Sequence, residues 1–325
     1  MAEDRMPGWV GKLSRSYPAG RSSMFILHGN VADVVSSIQN GRHDVEPLAD
    51  FLARRLFAGY DLILHFDMGR GLRAMPGGDP ERLTRMNNLL ARLLGGSIEG
   101  VRDPAQCFRL IDRLTSLLLV REEDRTRKTA VMFDYADFIC PADDRPGEHL
   151  ATLLNWARSP VMRRVNMIFL LFAESLSRLH PVLAQSGYTE EVFVPMPDRD
   201  ERRVYVEQRF PDYAPDADRL ATTSAGLTLA NLEALLRLAG KRDASGAPGT
   251  DARLTEIKKS LMEGQCPGLL EFVEPRFDLN AVAGHHAARQ RLEDDARLLR
   301  EGRLEAVPMG YLICGPVGVG KTFLA

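Results

Sequence analysis

Five short apolar runs constrain what this chain can fold into more than any other feature of its sequence. Continuous runs of this kind are typical of strands that are buried on both faces of a parallel sheet. Segments with helical periodicity lie between them, so we predict a three-layer α/β domain over residues 20–197, built on a five-stranded parallel sheet. The apolar runs are residues 24–27, 62–66, 130–133, 167–172 and 192–194, and the helical segments are residues 47–57, 84–94, 105–122 and 149–157.

The character of the sequence changes at Asp198, after which the patterns are helical only. They predict a small helical bundle over residues 198–265, with a loop rich in Gly, Ser, Ala and Pro at residues 243–250. A Pro-Gly pair indicates a linker at residues 266–276, and residues 1–19 form an N-terminal segment before the first strand. The predicted helices of the bundle are residues 199–208, 216–224, 229–239 and 252–263.

The composition is that of an ordinary globular protein, and it argues against several classes. A formal net charge of −2 over 325 residues provides no electrostatic reason to expect nucleic acid or an anionic membrane as a partner. The sequence has no apolar run long enough to span a bilayer, and its N-terminus lacks the apolar core of a signal peptide. The four cysteines form no C-x-x-C pair, which argues against a zinc site and a disulfide framework. We therefore expect a cytoplasmic protein without a membrane segment.

The most specific functional motif is the stretch from Gly315 to Thr322, which has the form G-x-x-x-x-G-K-T. It follows an apolar run at residues 311–314, for which we predict a strand. In such a loop the glycines allow backbone N–H groups to close around phosphate oxygens. Lys321 would supply a positive charge for the phosphates of a nucleotide, and the hydroxyl of Thr322 would be a Mg²⁺ ligand. The residues of this predicted site are Gly315, Pro316, Val317, Gly318, Val319, Gly320, Lys321 and Thr322.

An α/β sheet, a following helical bundle and a phosphate-binding loop together resemble the AAA+ ATPases, and the resemblance comes in two copies. The second copy is the start of a module at residues 277–325. Its stretch ending in Ala283 and Gly284 is similar to the segment that lies against adenine in this family. Residues 285–300 resemble the first helix of such a module, and residues 307–316 resemble the strand that leads into the loop.

The resemblance implies that this second copy binds ATP and Mg²⁺. Val317 and Val319 replace the residues that are usual in the family, but only the backbone needs to approach phosphate at these two positions. The acidic strand, the sensor and the arginine finger of the module would lie beyond Ala325. We therefore expect the residues of this chain to bind ATP without hydrolysing it, and the complete protein to be an ATPase.

In the first copy, residues 20–265, the family's phosphate chemistry is expected to be lost. If Gly29 is placed on the first glycine of the loop, Val34 falls on the second glycine and Val35 on the lysine. Valine can neither compensate phosphate charge nor give a loop tight curvature. Only Ser36 remains compatible with a role in binding Mg²⁺.

The other catalytic positions of the first copy have also changed. Asp134 stands where the family has an aspartate next to the metal ion, but Tyr135 replaces the glutamate that polarises water in the family. Glu174 stands where a sensor asparagine is expected, and the two arginine-finger positions are Gln185 and Tyr188. The resemblance thus implies a degenerate AAA+ module that keeps its fold but does not hydrolyse nucleotide.

Simpler interpretations of two of these carboxylates stay open. Asp134 is either a polar residue that ends a buried strand near solvent or a remnant of Mg²⁺ binding. Glu174 is more simply a capping or surface carboxylate than a catalytic one.

Two functions from different classes are also open. The first is an AAA-type ATPase that couples ATP hydrolysis by the second module to the remodelling of a protein or complex. By resemblance it would assemble as a homo-oligomer, in a hexameric ring, with the first module as a non-catalytic platform. The alternative is a non-enzymatic assembly or adaptor scaffold that is built on the degenerate module.

Overall fold

The computed structural model describes residues 6–16, 22–39, 42–121, 124, 126–143, 145–239, 258–259, 279–282, 284–300, 307–316 and 321. They belong to two compact units, Met1–Met262 and Glu263–Ala325. The predicted helix at residues 252–263 lies outside the described residues apart from positions 258–259.

The centre of the first unit is a mostly parallel sheet. The described strands of this unit are β1 (Met24–Gly29), β2 (Val34–Gln39), β3 (Arg42–Pro47), β4 (Leu62–Asp67), β5 (Gly71–Ala74), β6 (Thr129–Phe133), β7 (Met167–Ala173) and β8 (Thr189–Val194). Six of them form one sheet in the order β5-β4-β6-β7-β1-β8, in which every neighbouring pair except β4–β5 is parallel. The five predicted strands are confirmed as β1, β4, β6, β7 and β8 of this sheet.

Strand β5 is a sixth strand of this sheet that the sequence pattern did not predict. It pairs antiparallel with β4 through a tight turn, in which Asp67 Oδ1 accepts the N–H of Gly69 at 2.7 Å. Gly71 begins the strand with a φ of +87°, and a Cβ added there would lie 2.7 Å from the carbonyl oxygen of Val101. A four-residue strand that contains an arginine has too little apolar alternation to be recognised from its pattern.

Helices flank the sheet and confirm the predicted helical segments. They are α1 (Val10–Ser16), α2 (Leu48–Phe51, continued by a π-helical turn at Leu52–Leu56), α3 (Pro80–Leu94), α4 (Pro104–Val120), α5 (Ala136–Ile139), α6 (Glu148–Arg158), α7 (Pro160–Arg164) and α8 (Pro181–Ala184). The two long helices α3 and α4 begin in the same way. Asp79 and Asp103 accept backbone N–H groups of the first turn, and a proline follows each of them at the first helical position.

The core of the first unit lies where these helices pack on the apolar strands. Trp156 of α6 stacks on Phe169 of β7 with ring centroids 5.0 Å apart, and it meets Phe108 of α4 edge-on at 5.1 Å. Its indole N–H donates to Asp112 Oδ1. Trp156 is therefore both buried and hydrogen-bonded, which is how a tryptophan is accommodated in a core.

A β-hairpin follows β1, and it corrects the interpretation of this segment as a degenerate phosphate loop. Val34, Val35 and Ser36 do not occupy loop positions, because they lie in β2, which pairs antiparallel with β3. The reason is local. Val34, Val35 and Ile38 of β2 are β-branched and favour extended backbone, and pairing with β3 satisfies the backbone groups of both segments. The predicted helix at residues 47–57 begins only after the hairpin, as α2.

The helical bundle has its own core. Its described helices are α9 (Arg199–Arg209), α10 (Ala217–Thr223) and α11 (Leu229–Ala239), with a 3₁₀ segment at Pro211–Asp216. The buried side chains of this core include Tyr205, Leu220 and Leu232. Val34 and Val45 of the hairpin pack against it, so the hairpin connects the sheet to the bundle.

Replacing Asp198 by alanine should destabilise helix α9 by about 1 kcal/mol, which is typical for the loss of an N-cap. Asp198 accepts the N–H of Glu201 at 2.7 Å, and Glu201 Oε2 accepts the N–H of Asp198 at 3.0 Å. Urea unfolding of the full chain measures the loss. The control is Asp200→Ala, since Asp200 lies in the same first turn but caps nothing. Equal losses in both variants would contradict the capping role.

The second unit contributes a 3₁₀ turn at Leu279–Ala281 and helix α12 (His286–Arg300), close to the helix predicted at residues 285–300. The strand predicted at residues 311–314 is wrong for this structure, because residues 307–316 are assigned to no strand and Leu312 is fully exposed. A strand needs a neighbour to pair its backbone groups, and the described residues of this unit provide none.

Within the described parts of both units, no helix has the length and hydrophobicity that crossing a membrane requires.

Candidate functional site

The predicted phosphate-binding loop lies in the second unit, where the structure describes Gly315, Pro316 and Lys321. The Lys321 ammonium group donates to the carbonyl oxygen of Gly315 at 2.8 Å and to that of Pro316. The side chain thus turns back over the start of the loop and places its positive charge there. Five other predicted loop residues and one predicted adenine contact lie outside the described residues: Val317, Gly318, Val319, Gly320, Thr322 and Ala283.

The segment that leads into the loop is attached to α12 by a buried carboxylate. The hydroxyl of Tyr311 donates to Asp295 Oδ2 at 2.7 Å, and Arg291 Nε donates to the same oxygen at 3.0 Å. The hydrogen bond to Asp295 raises the pKa of Tyr311. Gly284, the other predicted adenine contact, precedes α12 with a φ of +77°, a conformation that favours glycine. These contacts hold the approach to the loop although no strand forms.

In the first unit, the residues that the resemblance points to lie at the carboxyl edge of the parallel strands. Gly29 ends β1, Asp134 follows β6, and Glu174 follows β7. In open α/β sheets this edge is where ligands bind. A cavity of about 350 Å³ opens there and is lined by residues that follow β1, β4, β6 and β7. We call it the edge cavity.

The loop after β1 turns sharply and runs into the hairpin. Gly29 has a φ of +102°, and a Cβ added there would lie 2.5 Å from the carbonyl oxygen of Val194. The next residue, Asn30, donates its N–H to the same oxygen at 2.9 Å. This close approach explains the glycine, but the turn positions the hairpin and does not open backbone N–H groups toward an anion.

Asp33 joins this loop to the helical bundle by hydrogen bonds. Its carboxylate accepts the backbone N–H groups of Leu229 and Ala230 at 2.8 and 3.1 Å, and the side-chain amide of Asn30 at 3.0 Å. It is almost completely buried. The first N–H groups of a helix are a natural site for an anion. At the start of α11 that site is already taken by a carboxylate of the protein itself.

The floor of the edge cavity contains two nitrogen-bearing side chains that lie opposite each other in the β4–β5 pairing, His65 and Arg73. His65 is 2% exposed, and its Nε2 lies 3.0 Å from Asp134 Oδ2. That distance allows an ion-pair contact, but the angles do not form a hydrogen bond, so neither ring nitrogen is hydrogen-bonded within the described residues. The buried Nη1 of Arg73 has no hydrogen-bond partner there either. Burying a polar atom without a hydrogen bond costs about 1–3 kcal/mol.

The rim of the cavity is aromatic. Tyr135 has a φ of +54°, an unusual conformation for a residue that is not glycine. Its ring stacks on Phe138 with centroids 5.4 Å apart and planes 5° from parallel, and both rings are about half exposed. Arg178 lies over the Phe138 ring and pairs with Asp137 and Glu174. The ion pair of Glu174 favours its interpretation as a surface carboxylate.

The two positions that the resemblance assigned to arginine fingers carry no guanidinium group. Gln185 directly follows α8, and the half-exposed Tyr188 precedes β8. The guanidinium of Arg158 lies 5.5 Å from the centre of the Tyr188 ring. That arginine belongs to α6, so it does not correspond to the position that the sequence singled out.

A larger cavity, of about 730 Å³, lies elsewhere in the first unit and is rich in arginine. Its guanidinium groups are already partnered. Arg92 and Arg127 pair with the buried Asp124 at 2.8 and 2.5 Å, and Arg82 donates to three backbone carbonyl groups. These guanidinium groups bind other parts of the protein, so they are not available to a ligand. The smaller edge cavity is therefore the better candidate for a ligand site.

Sequence reasoning missed Asp33, His65 and Arg73. His65 could have been noticed in the sequence, because it is a polar side chain within an otherwise apolar strand. For Arg73 the strand itself went unrecognised. The role of Asp33 depends on contact with α11, nearly two hundred residues further along the chain.

Comparisons with known proteins place the chain in a family. A search of curated proteins finds no similar sequence. A chain of the E. coli MS115-1 HORMA:CdnC:Trip13 complex is similar in structure, with a TM-score of 0.42 and 10% sequence identity over 77% of this chain and 84% of that chain. Residues 2–195 match the family model described as the AAA+ chaperone, N-terminal Rossmann-like domain. Since this match covers more than half of the sequence, the protein belongs to the AAA+ chaperones.

Proposed function

We propose that this AAA+ chaperone couples ATP hydrolysis to the remodelling of a protein or complex, with nucleotide bound only in the second unit. The observation that carries the proposal is Asp33, whose buried carboxylate occupies the N-terminus of α11 beside the loop where the first module would bind phosphate. A fixed negative charge at this place opposes a bound phosphate. The first module, residues 20–265, then acts as a non-catalytic platform.

The second unit keeps the groups that the first has lost. Lys321 carries a positive charge at the start of a glycine-rich loop, and the hydroxyl of Thr322 is proposed as the Mg²⁺ ligand. Ala283 and Gly284 are proposed to contact adenine. When bound, Mg²⁺ would neutralise charge on the phosphates.

We further propose that the complete protein assembles as a homo-oligomeric ring. In such a ring the first module would not complete the site of a neighbouring subunit with an arginine, because Gln185 and Tyr188 stand at those positions. Its contribution would be structural, and ATP turnover would depend on the second module alone.

A non-enzymatic scaffold is the second candidate. It is favoured by the half-exposed, parallel pair of Tyr135 and Phe138, since exposed aromatic residues are frequent anchors of protein interfaces. The two candidates differ in one property: a scaffold built on residues 20–265 requires no ATP binding anywhere in the chain.

Calorimetry with ATP and Mg²⁺ tests the proposal on the full chain. We expect one ATP per chain, and we expect Lys321→Ala to weaken binding by about 100-fold, because a lost charge-assisted contact to phosphate corresponds to about 3 kcal/mol. Lys128→Ala is the matched control, since Lys128 is an exposed lysine of the first unit.

Two outcomes would contradict the proposal. Binding that survives Lys321→Ala would locate a nucleotide site in the first unit. A complete absence of ATP binding by the unmodified chain would favour the scaffold instead.

A further inference from the structure

The edge cavity has features of a ligand site, although we propose that nucleotide does not bind there. Its floor holds His65 and the buried Nη1 of Arg73, which has no hydrogen bond within the described residues. His65 is 2% exposed; its Nε2 lies 3.0 Å from Asp134 Oδ2, and neither ring nitrogen forms a hydrogen bond within the described residues. Because these side chains lie opposite each other on β4 and β5, they reach the cavity side by side. Buried polar groups are normally satisfied, so this pair points to a partner that enters from the cavity.

Arg73 requires that the ligand carry an acceptor. A guanidinium group only donates hydrogen bonds, and it matches the two oxygens of a carboxylate well. No described residue forms an ion pair with Arg73. A purely cationic ligand would therefore leave the floor of the cavity unsatisfied.

The charge of the lining requires that the ligand also carry a cation. Six carboxylates and two guanidinium groups line the cavity. Five of the carboxylates have partners. Asp33 binds the start of α11, and Arg178 pairs with Asp137 and Glu174. Asp67 pairs with Arg70, and Asp134 lies 3.0 Å from His65. Asp50 has no ion pair in the described part of the chain, and the lining stays acidic when Arg178 is included. This excess negative charge opposes a polyphosphate.

The rim offers a place for that cation. Arg178 already places its guanidinium 5.5 Å from the centre of the Phe138 ring. The neighbouring Tyr135 ring is parallel to Phe138 and half exposed, so it can receive a second cation in the same manner. A bare metal ion fits less well, because the described residues contain no group of three potential metal ligands.

We propose that the edge cavity binds a carboxylate that is carried next to a basic side chain. The carboxylate is received by Arg73 and by Nδ1 of His65, and the cationic group lies between Asp50 and the Tyr135 ring. Two sources have this chemistry, a free basic amino acid and the basic C-terminal residue of a protein. The site is independent of the nucleotide site in the second unit.

Calorimetry with four probes tests the proposal on the full chain: L-arginine, L-arginine amide, the peptide Gly-Gly-Arg and its C-terminal amide. We expect at least one of the free acids to bind with a dissociation constant below about 1 mM, and its amide to bind about tenfold or more weakly. Tighter binding of L-arginine identifies a free amino acid as the source, and tighter binding of the peptide identifies a protein terminus. Equal binding of acid and amide, or no binding of either acid at about 10 mM, would overturn the proposal.

Variants locate the ligand. Arg73→Gln should weaken binding of the better acid by about tenfold or more, whereas Arg85→Gln, on the exposed surface of α3, should leave it unchanged. Asp50→Asn is a second test that does not depend on the folding of the Arg73 variant. This substitution should not disturb the fold, because Asp50 is exposed and outside the core. It should weaken the acid and its amide by a similar factor, since it contacts the cation common to both. Unchanged binding in a folded Arg73→Gln variant, or in Asp50→Asn, would overturn the assignment.

Discussion

Asp33→Ala should destabilise the first unit by about 3 kcal/mol and loosen the helical bundle from the sheet. The carboxylate is buried and accepts two backbone N–H groups of α11 and the amide of Asn30. Alanine would leave these three donors without their acceptor, and the N–H of Leu229 is buried. The variant loses charge-assisted hydrogen bonds and also the negative charge at the N-terminus of α11. Both losses lower the stability of the first unit.

Hydrogen exchange of the amides in Leu229–Ala239, together with urea unfolding of the full chain, measures this effect. Asp50→Ala is the matched control, because Asp50 is an exposed aspartate of the same unit, and it should change stability by less than about 0.5 kcal/mol. If the α11 amides keep their protection in Asp33→Ala, the carboxylate does not anchor the bundle.

Trp156→Ala should destabilise the first unit by about 3–5 kcal/mol, the range for truncating a large buried aromatic residue. The indole is 2% exposed and contacts rings from the sheet and from α4. Its loss removes apolar contact on both sides and leaves Asp112 without its indole donor. Unlike Asp33→Ala, this change should lower the stability of the sheet core.

Thermal and urea unfolding that follow the first unit provide the measurement. Trp156→Phe is the conservative variant and should recover more than half of the lost stability, since it restores an aromatic ring but no N–H donor. Comparable losses in the two variants would mean that ring packing contributes less than the structure indicates.

The five central strands could be predicted because their apolar runs must be buried on both faces, whatever they pack against. Long helices such as α3 and α4 were predictable for a similar reason, since periodicity and caps are local signals. Their first residues differ from the prediction by a few positions, because the helices begin at prolines that follow the capping aspartates.

The hairpin at β2 and β3 could not be predicted by counting residues from Gly29. Assigning Val34 and Val35 to loop positions assumed that this segment keeps the spacing of the family's phosphate-binding loop. Because both residues are valine, extended backbone is locally favoured and pairing with β3 is possible.

The contents of the edge cavity were less predictable than the fold. Asp134 and Tyr135 were singled out from the end of an apolar strand, and both lie at the cavity. His65 and Arg73 come from two strands whose pairing brings them together, and nothing in the local sequence indicates that contact. Non-local pairing of this kind is what sequence patterns do not contain.

The central claim is that nucleotide binds in the second unit and not in the first. Photocrosslinking of the full chain with 8-azido-ATP and Mg²⁺, followed by peptide mapping, tests it most directly. We predict label only within Glu263–Ala325, and its loss in Lys321→Ala. Label within Met1–Met262 that persists in Lys321→Ala and is displaced by ATP would contradict the claim.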